Sequence, residues 1–391
     1  MSKSRIPELI PRLSALCVFR GLLQSPLLCA LRDFATTTER IDAYSRFVSE
    51  IYRGGGDLGA CIRRMVFEDE NIYVTSLASG TPVDANVVAS VKRELETLNA
   101  VASLTQADFS DLLGGVPVAD FSTTETDLNA EYAERVREIG KHGYGIFASH
   151  GMFRLSEMGR NRIEPIIGAD KVSVACFTGY ENERERVIAN TRAFVEGRPA
   201  ANVLLYGDAG TGKSSTVKAV ANLFFEQGVR LIELRKDQMS FLPRVMEQIG
   251  KNPLKFIIFI DDLSFNRNDD CFSMLKAALE GSASAKAPNA VIYATSNRRH
   301  IVRECFDDRE GSDVHRNDTM QELLSLSARF GLSIRFEKPN KALYLTIVRE
   351  LAERKGIQMD ETALQTQAEA FALNRGYRSP RCAEQFIDSL L

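Results

Sequence analysis

Nine consecutive residues carry the clearest chemical signal in the chain: a glycine, four further residues, then Gly-Lys-Ser-Ser. They are Gly207, Asp208, Ala209, Gly210, Thr211, Gly212, Lys213, Ser214 and Ser215. In this pattern the backbone N–H groups can surround a phosphate, the lysine reaches its oxygens, and the serine hydroxyl can ligate Mg²⁺. The alternative interpretation is a glycine-rich turn that binds no ligand.

The neighbouring sequence favours the phosphate-binding interpretation. An apolar run at 203–206 precedes the loop, and a helical pattern begins near Ser214. A phosphate-binding loop needs a strand to deliver it and a helix to leave it, because the helix N-terminus faces the anion.

Two acids and one amide follow later apolar runs. Asp261 and Asp262 come directly after 256–260, and Asn297 follows 290–294. The carboxyl ends of parallel strands meet at a ligand-binding rim, so we expect these residues beside the loop. There Asp261 would hold Mg²⁺, Asp262 would orient or deprotonate a water, and Asn297 would bond the γ-phosphate or that water. An ordinary turn is the alternative at each position.

Two arginines add positive charge further along the chain. Arg329 stands beside Phe330-Gly331 at the end of a predicted helix, and Arg381 opens the last predicted helix. Arg329 is either a surface charge or an arginine finger that enters a neighbouring subunit's site. Arg381 could reach nucleotide phosphate, although by itself it is a weak signal.

The composition limits the class of protein. The chain has 391 residues, 44% hydrophobic and 26% charged, with a net charge of −3, which suits a globular protein of two or three domains and argues against a broad basic face for nucleic acid. Its seven scattered cysteines are typical of reduced thiols in a cytoplasmic protein. No apolar run is long enough for a membrane span, and arginines interrupt the apolar N-terminal stretch, so we expect no signal peptide and no membrane association.

The pattern along the chain predicts an α/β fold. Residues 1–150 are predicted to be a mainly helical accessory region, with a loop at 103–126, and 151–200 a linker with an entry helix. Residues 201–338 alternate apolar runs with helical patterns, which is typical of a parallel sheet flanked by helices. Three further helices are expected in 339–391.

The ordered set of motifs resembles the AAA+ ATPases over about residues 178–391. Under that resemblance 207–214 correspond to Walker A, 256–262 to Walker B, Asn297 to sensor 1, Arg329 to the arginine finger, Arg381 to sensor 2, and Gly179-Tyr180 to the linker that packs on adenine. The closest likeness is to a bacterial family of predicted ATP-binding AAA+ proteins of unknown function, and it runs through most of the chain. It implies a P-loop AAA+ core with a C-terminal helical lid. Many AAA+ proteins carry Glu where this chain has Asp262, so slow hydrolysis is expected.

Two functions remain open at this point. The first is a Mg²⁺-dependent ATPase, converting ATP and water to ADP and phosphate. It would act as a homo-oligomer, with Arg329 in trans, and remodel or load an unidentified protein or nucleic-acid partner. The second is a nucleotide-dependent switch or loader with little intrinsic hydrolysis, favoured by Asp262 and the large helical N-terminal region. A P-loop kinase is a distant third, because it should lack the Arg329 context and the lid.

Overall fold

The computed structural model describes residues 4–114, 116–156, 162–169, 172–263, 274–276, 278–279, 287–297 and 329–391. Residues 326–328, which directly precede Arg329, lie outside this part. The chain forms two compact units: Met1–Ser149 with Lys251–Pro253, and His150–Gly250 with Leu254–Leu391. In the described part, every helix is too short or too polar to cross a lipid bilayer.

The N-terminal unit is built from helices, as the sequence predicts. They are α1 (Ile6–Ser14), α2 (Pro26–Thr36), α3 (Arg40–Arg53), α4 (Leu58–Glu68), α5 (Ile72–Ala78), α6 (Ala85–Ala102), α7 (Ala107–Ser110), α8 (Leu128–Arg137) and α9 (Ile139–His142). Several begin at side-chain caps. For example, Asp57 Oδ1 accepts the Ala60 N–H at 2.8 Å.

An aromatic core holds these helices together. Phe34, Tyr44, Phe47 and Phe109 are fully buried, and their ring centroids lie 5.1–6.3 Å apart in the contacting pairs. Phe109 belongs to α7, which interrupts the loop predicted for 103–126. That prediction is wrong there because one short turn of helix buries a large aromatic side chain that the polar composition of the stretch conceals.

The second unit contains a seven-stranded sheet in the order β2-β1-β4-β5-β6-β3-β7. The strands are β1 (Met152–Leu155), β2 (Ile163–Pro165), β3 (Val203–Gly207), β4 (Val229–Glu233), β5 (Lys255–Ile260), β6 (Ala290–Ser296) and β7 (Leu332–Phe336). β1 and β2 pair antiparallel, and every other pairing among the described strands is parallel. The predicted α/β class is therefore confirmed.

Helices flank this sheet, and the central strands are buried. The flanking helices include α10 (Glu181–Val195), α11 (Lys213–Leu223) and α12 (Leu242–Ile249). In β5 the residues from Phe256 to Ile260 are all fully buried, as expected for a strand covered on both faces. β6 lies between β5 and β3, so the carboxyl ends of these three strands meet at one edge.

Three helices form the C-terminal lid, as the sequence predicts: α13 (Lys341–Arg354), α14 (Glu361–Arg375) and α15 (Pro380–Asp388). Each begins at a side chain that accepts a backbone N–H, namely Asn340, Asp360 and Ser379. Tyr344, Val348, Ala368 and Phe386 pack in their shared core.

Candidate functional site

The glycine-rich loop leaves the carboxyl end of β3 and enters α11 at Lys213. Gly207 has a φ of +130°, and a Cβ there would lie 2.1 Å from the Phe336 carbonyl oxygen. Only glycine fits such a close approach between two backbones. The strand–loop–helix context predicted for a phosphate-binding loop is thus present, with the first turn of α11 directly behind the loop.

Lys213 lies inside the loop and is only 6% exposed. Its Nζ donates to the carbonyl oxygens of Gly207 at 3.1 Å and Asp208 at 2.6 Å, and to Asn297 Oδ1 at 3.2 Å. Burial lowers the pKa of this ammonium, while the carboxylates of Asp208, Asp261 and Asp262 raise it. The loop therefore holds the Lys213 ammonium in place. In a phosphate-binding role, the ammonium and the loop would bind the phosphate together.

Asp261 lies just beyond β5 and receives several donors on one oxygen. Ser214 Oγ donates to Asp261 Oδ1 at 2.6 Å, and Thr295 Oγ1 donates to the same atom at 2.5 Å. Hydroxyl and carboxylate oxygens are ligands suited to Mg²⁺, which is usually bound through one or two carboxylates together with phosphate and water. No group of three His, Cys, Asp or Glu in the described ranges could hold a metal alone.

Asp262 and Asn297 are in direct contact. Asn297 Nδ2 donates to Asp262 Oδ1 at 2.7 Å, and both residues are exposed. Asn297 therefore joins the buried ammonium of Lys213, on its Oδ1 side, to the carboxylate of Asp262. The sequence predicted that all three residues lie at one rim. It did not predict the two hydrogen bonds of the Asn297 amide, because they depend on the side-chain rotamer.

The remaining loop residues fix the loop or lie along its surface. Asp208 Oδ2 accepts the Lys338 N–H at 3.0 Å, and Thr211 Oγ1 donates to the Asp208 carbonyl oxygen at 2.8 Å. Ala209 is exposed and Ser215 is half-buried. Asp208 thus fastens the loop to the connection between β7 and α13.

The lid reaches the loop at the start of α15. The Arg381 N–H donates to the Gly210 carbonyl oxygen at 3.3 Å, and a Cβ at Gly210 would lie 3.3 Å from Arg381 Cβ. The Arg381 side chain is exposed, and its charge lowers the pKa of Lys213. Arg381 is therefore close to the loop, as its predicted role requires.

Tyr180 lies at the start of α10 with a φ of +60°. Its ring stacks on Phe336, with centroids 5.3 Å apart, and its Oη donates to the Glu337 carbonyl oxygen at 2.6 Å. The side chain thus packs on the end of β7. A contact between Tyr180 and adenine stays a prediction.

Arg329 lies near the amino ends of the parallel strands, which we call the amino edge of the sheet. The P-loop leaves the opposite, carboxyl edge, where the parallel strands end. Arg329 stands three residues before β7, and Leu332 at the start of β7 pairs with Val203 at the start of β3. The loop leaves the opposite end of β3, which is roughly 13 Å long, so the backbone of Arg329 and the loop lie at opposite ends of that strand. Of the residues predicted for catalysis, Lys213, Asp262 and Asn297 are brought together and Arg329 is not.

A mainly parallel sheet with a P-loop after β3, acids after β5, an amide after β6 and a C-terminal helical lid defines the AAA+ class. The chain belongs to the family described as a protein of unknown function, DUF815, which it matches over residues 148–391. The match leaves residues 1–147 outside.

Similar proteins were found among characterised chains and solved structures. The chain is 26% identical over 216 residues to the chromosomal replication initiator protein DnaA of Dechloromonas aromatica (strain RCB), covering 52% of this chain and 41% of that one. It also resembles the Thermotoga maritima RuvB Holliday junction branch migration motor, with a TM-score of 0.39 and 15% identity, covering 56% of this chain and 63% of that one. The match thus spans about two fifths of the DnaA relative.

Proposed function

We propose that the protein binds ATP with Mg²⁺ and hydrolyses it slowly, as a homo-oligomer that remodels or loads a macromolecular partner. The observation that carries this proposal is the continuous set of contacts from Lys213 through Asn297 to Asp262. It brings a phosphate-binding cation, an amide and a carboxylate to one rim beside a P-loop.

Binding would use the loop and the first turn of α11. Backbone N–H groups of residues 208–215 and the ammonium of Lys213 would hold the phosphates. Ser214 Oγ and Asp261 would hold Mg²⁺, since they already lie 2.6 Å apart. Arg381 would add positive charge from the lid, and Tyr180 would border the base.

Hydrolysis would depend on Asp262 and Asn297. Asp262 is exposed at the rim, where its carboxylate could orient a water and accept its proton. Asn297 would fix the direction of that carboxylate and bond the γ-phosphate or the water. Mg²⁺ would neutralise charge on the phosphates when bound.

The position of Arg329 supports an oligomer. It lies at the amino edge of the sheet, away from its own P-loop, so a role in phosphate chemistry requires the site of another subunit. A guanidinium supplied in this way stabilises the charge that develops during phosphoryl transfer.

A switch or loader with little intrinsic hydrolysis is the second candidate. Asn297 Nδ2 already occupies Asp262 Oδ1 at 2.7 Å, so the carboxylate must exchange this bond before it can serve a water. In this case ATP would fix an oligomer, and the N-terminal unit would contact the partner. Turnover that stays low alone and rises with a partner would favour this candidate over a motor.

A cytoplasmic location fits the thiols. The cysteines within the described residues, Cys17, Cys29, Cys61, Cys176 and Cys382, are all free. Free thiols are typical of a reducing compartment.

The test is a mass measurement with and without Mg²⁺·ATP, together with an equilibrium ATP-binding measurement, on the wild type and on Lys213→Ala. We expect nucleotide to increase the mass of the wild type, and Lys213→Ala to lower ATP affinity about 100-fold or more, because a charge-assisted contact to phosphate is lost. Lys218→Ala is the matched control: this lysine lies on the same helix and pairs with Glu233 at 3.3 Å. Equal ATP binding by Lys213→Ala and the wild type would refute the site.

A further inference from the structure

Thr295 is a buried hydroxyl residue between the acids and the amide of the candidate site. It is the second-last residue of β6 and only 2% exposed. It pairs with Leu205 of β3, so its backbone position is set by the strand that delivers the P-loop. Its side chain contacts both acids that follow β5.

The hydroxyl group of Thr295 makes two hydrogen bonds of opposite sense. Oγ1 donates to Asp261 Oδ1 at 2.5 Å, and it accepts the Asp262 N–H at 2.9 Å. The Thr295 carbonyl oxygen also accepts the Leu263 N–H at 2.7 Å. One residue therefore fastens the side chain of Asp261 and the backbone on both sides of the Asp262 Cα.

The backbone of Asp262 needs such support. Its φ is +50°, in the left-handed region that residues other than glycine rarely adopt. Its N–H is accepted by Thr295 Oγ1 at 2.9 Å and by Asp261 Oδ1 at 3.1 Å, so removing the Thr295 hydroxyl would take away the shorter of two bonds that hold the turn in this conformation. The direction of the Asp262 side chain towards Asn297 follows from this turn.

Asp261 is held by the same arrangement. Ser214 Oγ, Thr295 Oγ1 and the Asp262 N–H all donate to Asp261 Oδ1, at 2.6, 2.5 and 3.1 Å. Three donors on one oxygen fix the carboxylate plane. If Ser214 Oγ turned towards a metal, Thr295 would still hold this oxygen.

We propose that Thr295 is a positioning residue that orients Asp261 for Mg²⁺ and Asp262 for the attacking water. This inference rests on the proposed nucleotide-binding function of the site. The Thr295 hydroxyl is buried against the two acids, and it would act through them. The hydroxyl is the required group, because only an atom that donates and accepts can serve the carboxylate and the N–H together.

The experiment compares full-length Thr295→Val, Thr295→Ala and Thr295→Ser with the wild type. Valine keeps the β-branched shape and removes the hydroxyl, alanine removes it without adding bulk, and serine retains it. Thr191→Val is the matched control: Thr191 is fully buried in the same unit, and its hydroxyl bonds Val187 and Tyr293 instead of the acids.

Three quantities are measured: Mn²⁺ binding in the presence of ATP by electron paramagnetic resonance, ATP affinity in EDTA, and hydrogen exchange of the Asp262 amide without nucleotide. For Thr295→Val and Thr295→Ala we expect Mn²⁺ affinity to fall about tenfold to a hundredfold and Asp262 exchange to accelerate, with ATP affinity in EDTA changed less than about threefold. Thr295→Ser should restore all three to near wild type, and Thr191→Val should leave them unchanged.

The outcomes separate this inference from the proposed function. Folded Thr295→Val or Thr295→Ala with wild-type Mn²⁺ affinity and Asp262 exchange would overturn the role of Thr295 and leave ATP binding intact. A wild type that binds no ATP would refute the function. In that case faster Asp262 exchange in the variants would still support the positioning role, and unchanged exchange would overturn it.

Discussion

The two edges of the sheet carry opposite parts of the proposed chemistry. At the carboxyl edge, hydrogen bonds join the P-loop to the residues that follow β5 and β6. Lys213 bonds Asn297, which bonds Asp262, and Ser214 bonds Asp261. At the amino edge, Arg329 lies before β7 and the length of β3 separates it from that loop. In the proposed function, one copy of the chain would hold the nucleotide and the metal with its own side chains, while Arg329 would act in the site of another copy.

The two cations also differ in how they are held. Lys213 is buried, and three oxygens accept from its Nζ, while the nearby carboxylates counteract the pKa lowering caused by burial. Arg329 is half-buried, at the end of the connection that precedes β7. In the proposed function, Lys213 would exchange some of these bonds for phosphate oxygens of its own site, whereas Arg329 would contact the site of another copy.

The largest expected effect comes from Arg329→Ala. Turnover should fall about 10³- to 10⁵-fold, because the transition-state charge loses its external guanidinium, and ATP affinity should stay within about threefold. Turnover by the wild type should rise with protein concentration, and the variant should lose this dependence. The measurement is phosphate release over a dilution series.

A mixing experiment makes this prediction sharper. Arg329→Ala has an intact P-loop and Lys213→Ala has an intact Arg329, so mixed oligomers should recover turnover that neither variant has alone. The control is Arg198→Ala, since Arg198 is an exposed arginine in the turn before β3, at the same edge, and pairs with Glu196 at 2.7 Å. If Arg329→Ala hydrolyses ATP normally at every concentration, the comparison between the two edges has no functional meaning.

A smaller effect is expected from Asp262→Asn, which tests the carboxyl edge alone. An amide cannot accept the proton of an attacking water, so turnover should fall about 10²- to 10⁴-fold, while ATP affinity stays within about threefold. The measurement is single-turnover hydrolysis beside equilibrium binding. Asp237→Asn is the control, because Asp237 is an exposed aspartate that pairs with Arg235, two residues away in the sequence. Unchanged turnover in Asp262→Asn would remove Asp262 from the mechanism.

The residues at the carboxyl edge could be predicted from sequence, because each follows a local apolar run and the fold brings the ends of those strands together. Apolar runs before Gly207, Asp261 and Asn297 indicate strands, and parallel strands end at one rim. The edge strand β7 was missed: its residues Leu-Ser-Ile-Arg-Phe alternate in burial, with Ser333 and Arg335 exposed. Such alternation is the available signal, but over five residues it is weak.

Side-chain partners were beyond prediction for a different reason. The contact of Thr295 with Asp261 requires β6 to pair with β3 in one register, Leu205 opposite Thr295. A shift by one residue would turn Thr295 to the other face of the sheet. The antiparallel pairing of β1 and β2 was also missed, since strands of four and three residues give almost no periodic pattern.

The smallest expected effect concerns the lid, which approaches the carboxyl edge through Arg381. Glu369 accepts two hydrogen bonds from Arg378, at 2.9 and 2.8 Å, and so anchors the turn that leads into α15. These bonds, with a smaller contribution from Lys341, lower the pKa of Glu369. Glu369→Gln should therefore reduce the free energy of unfolding at pH 7 by about 1 kcal/mol or less, because the pair is partly exposed.

The pH dependence follows from the sign of that shift. A carboxylate with a lowered pKa in the folded state stabilises the fold above the unfolded pKa of about 4.3, and this contribution is lost as the pH falls further. The difference between wild type and Glu369→Gln should thus be constant above about pH 5 and shrink below about pH 4. Urea unfolding followed by circular dichroism measures this difference in the free energy of unfolding. The control is Glu164→Gln, because Glu164 pairs with Arg154 at an exposed position. A difference that grows on acidification would mean that Arg378 does not hold Glu369 as a carboxylate, and the lid would then reach Gly210 without this anchor.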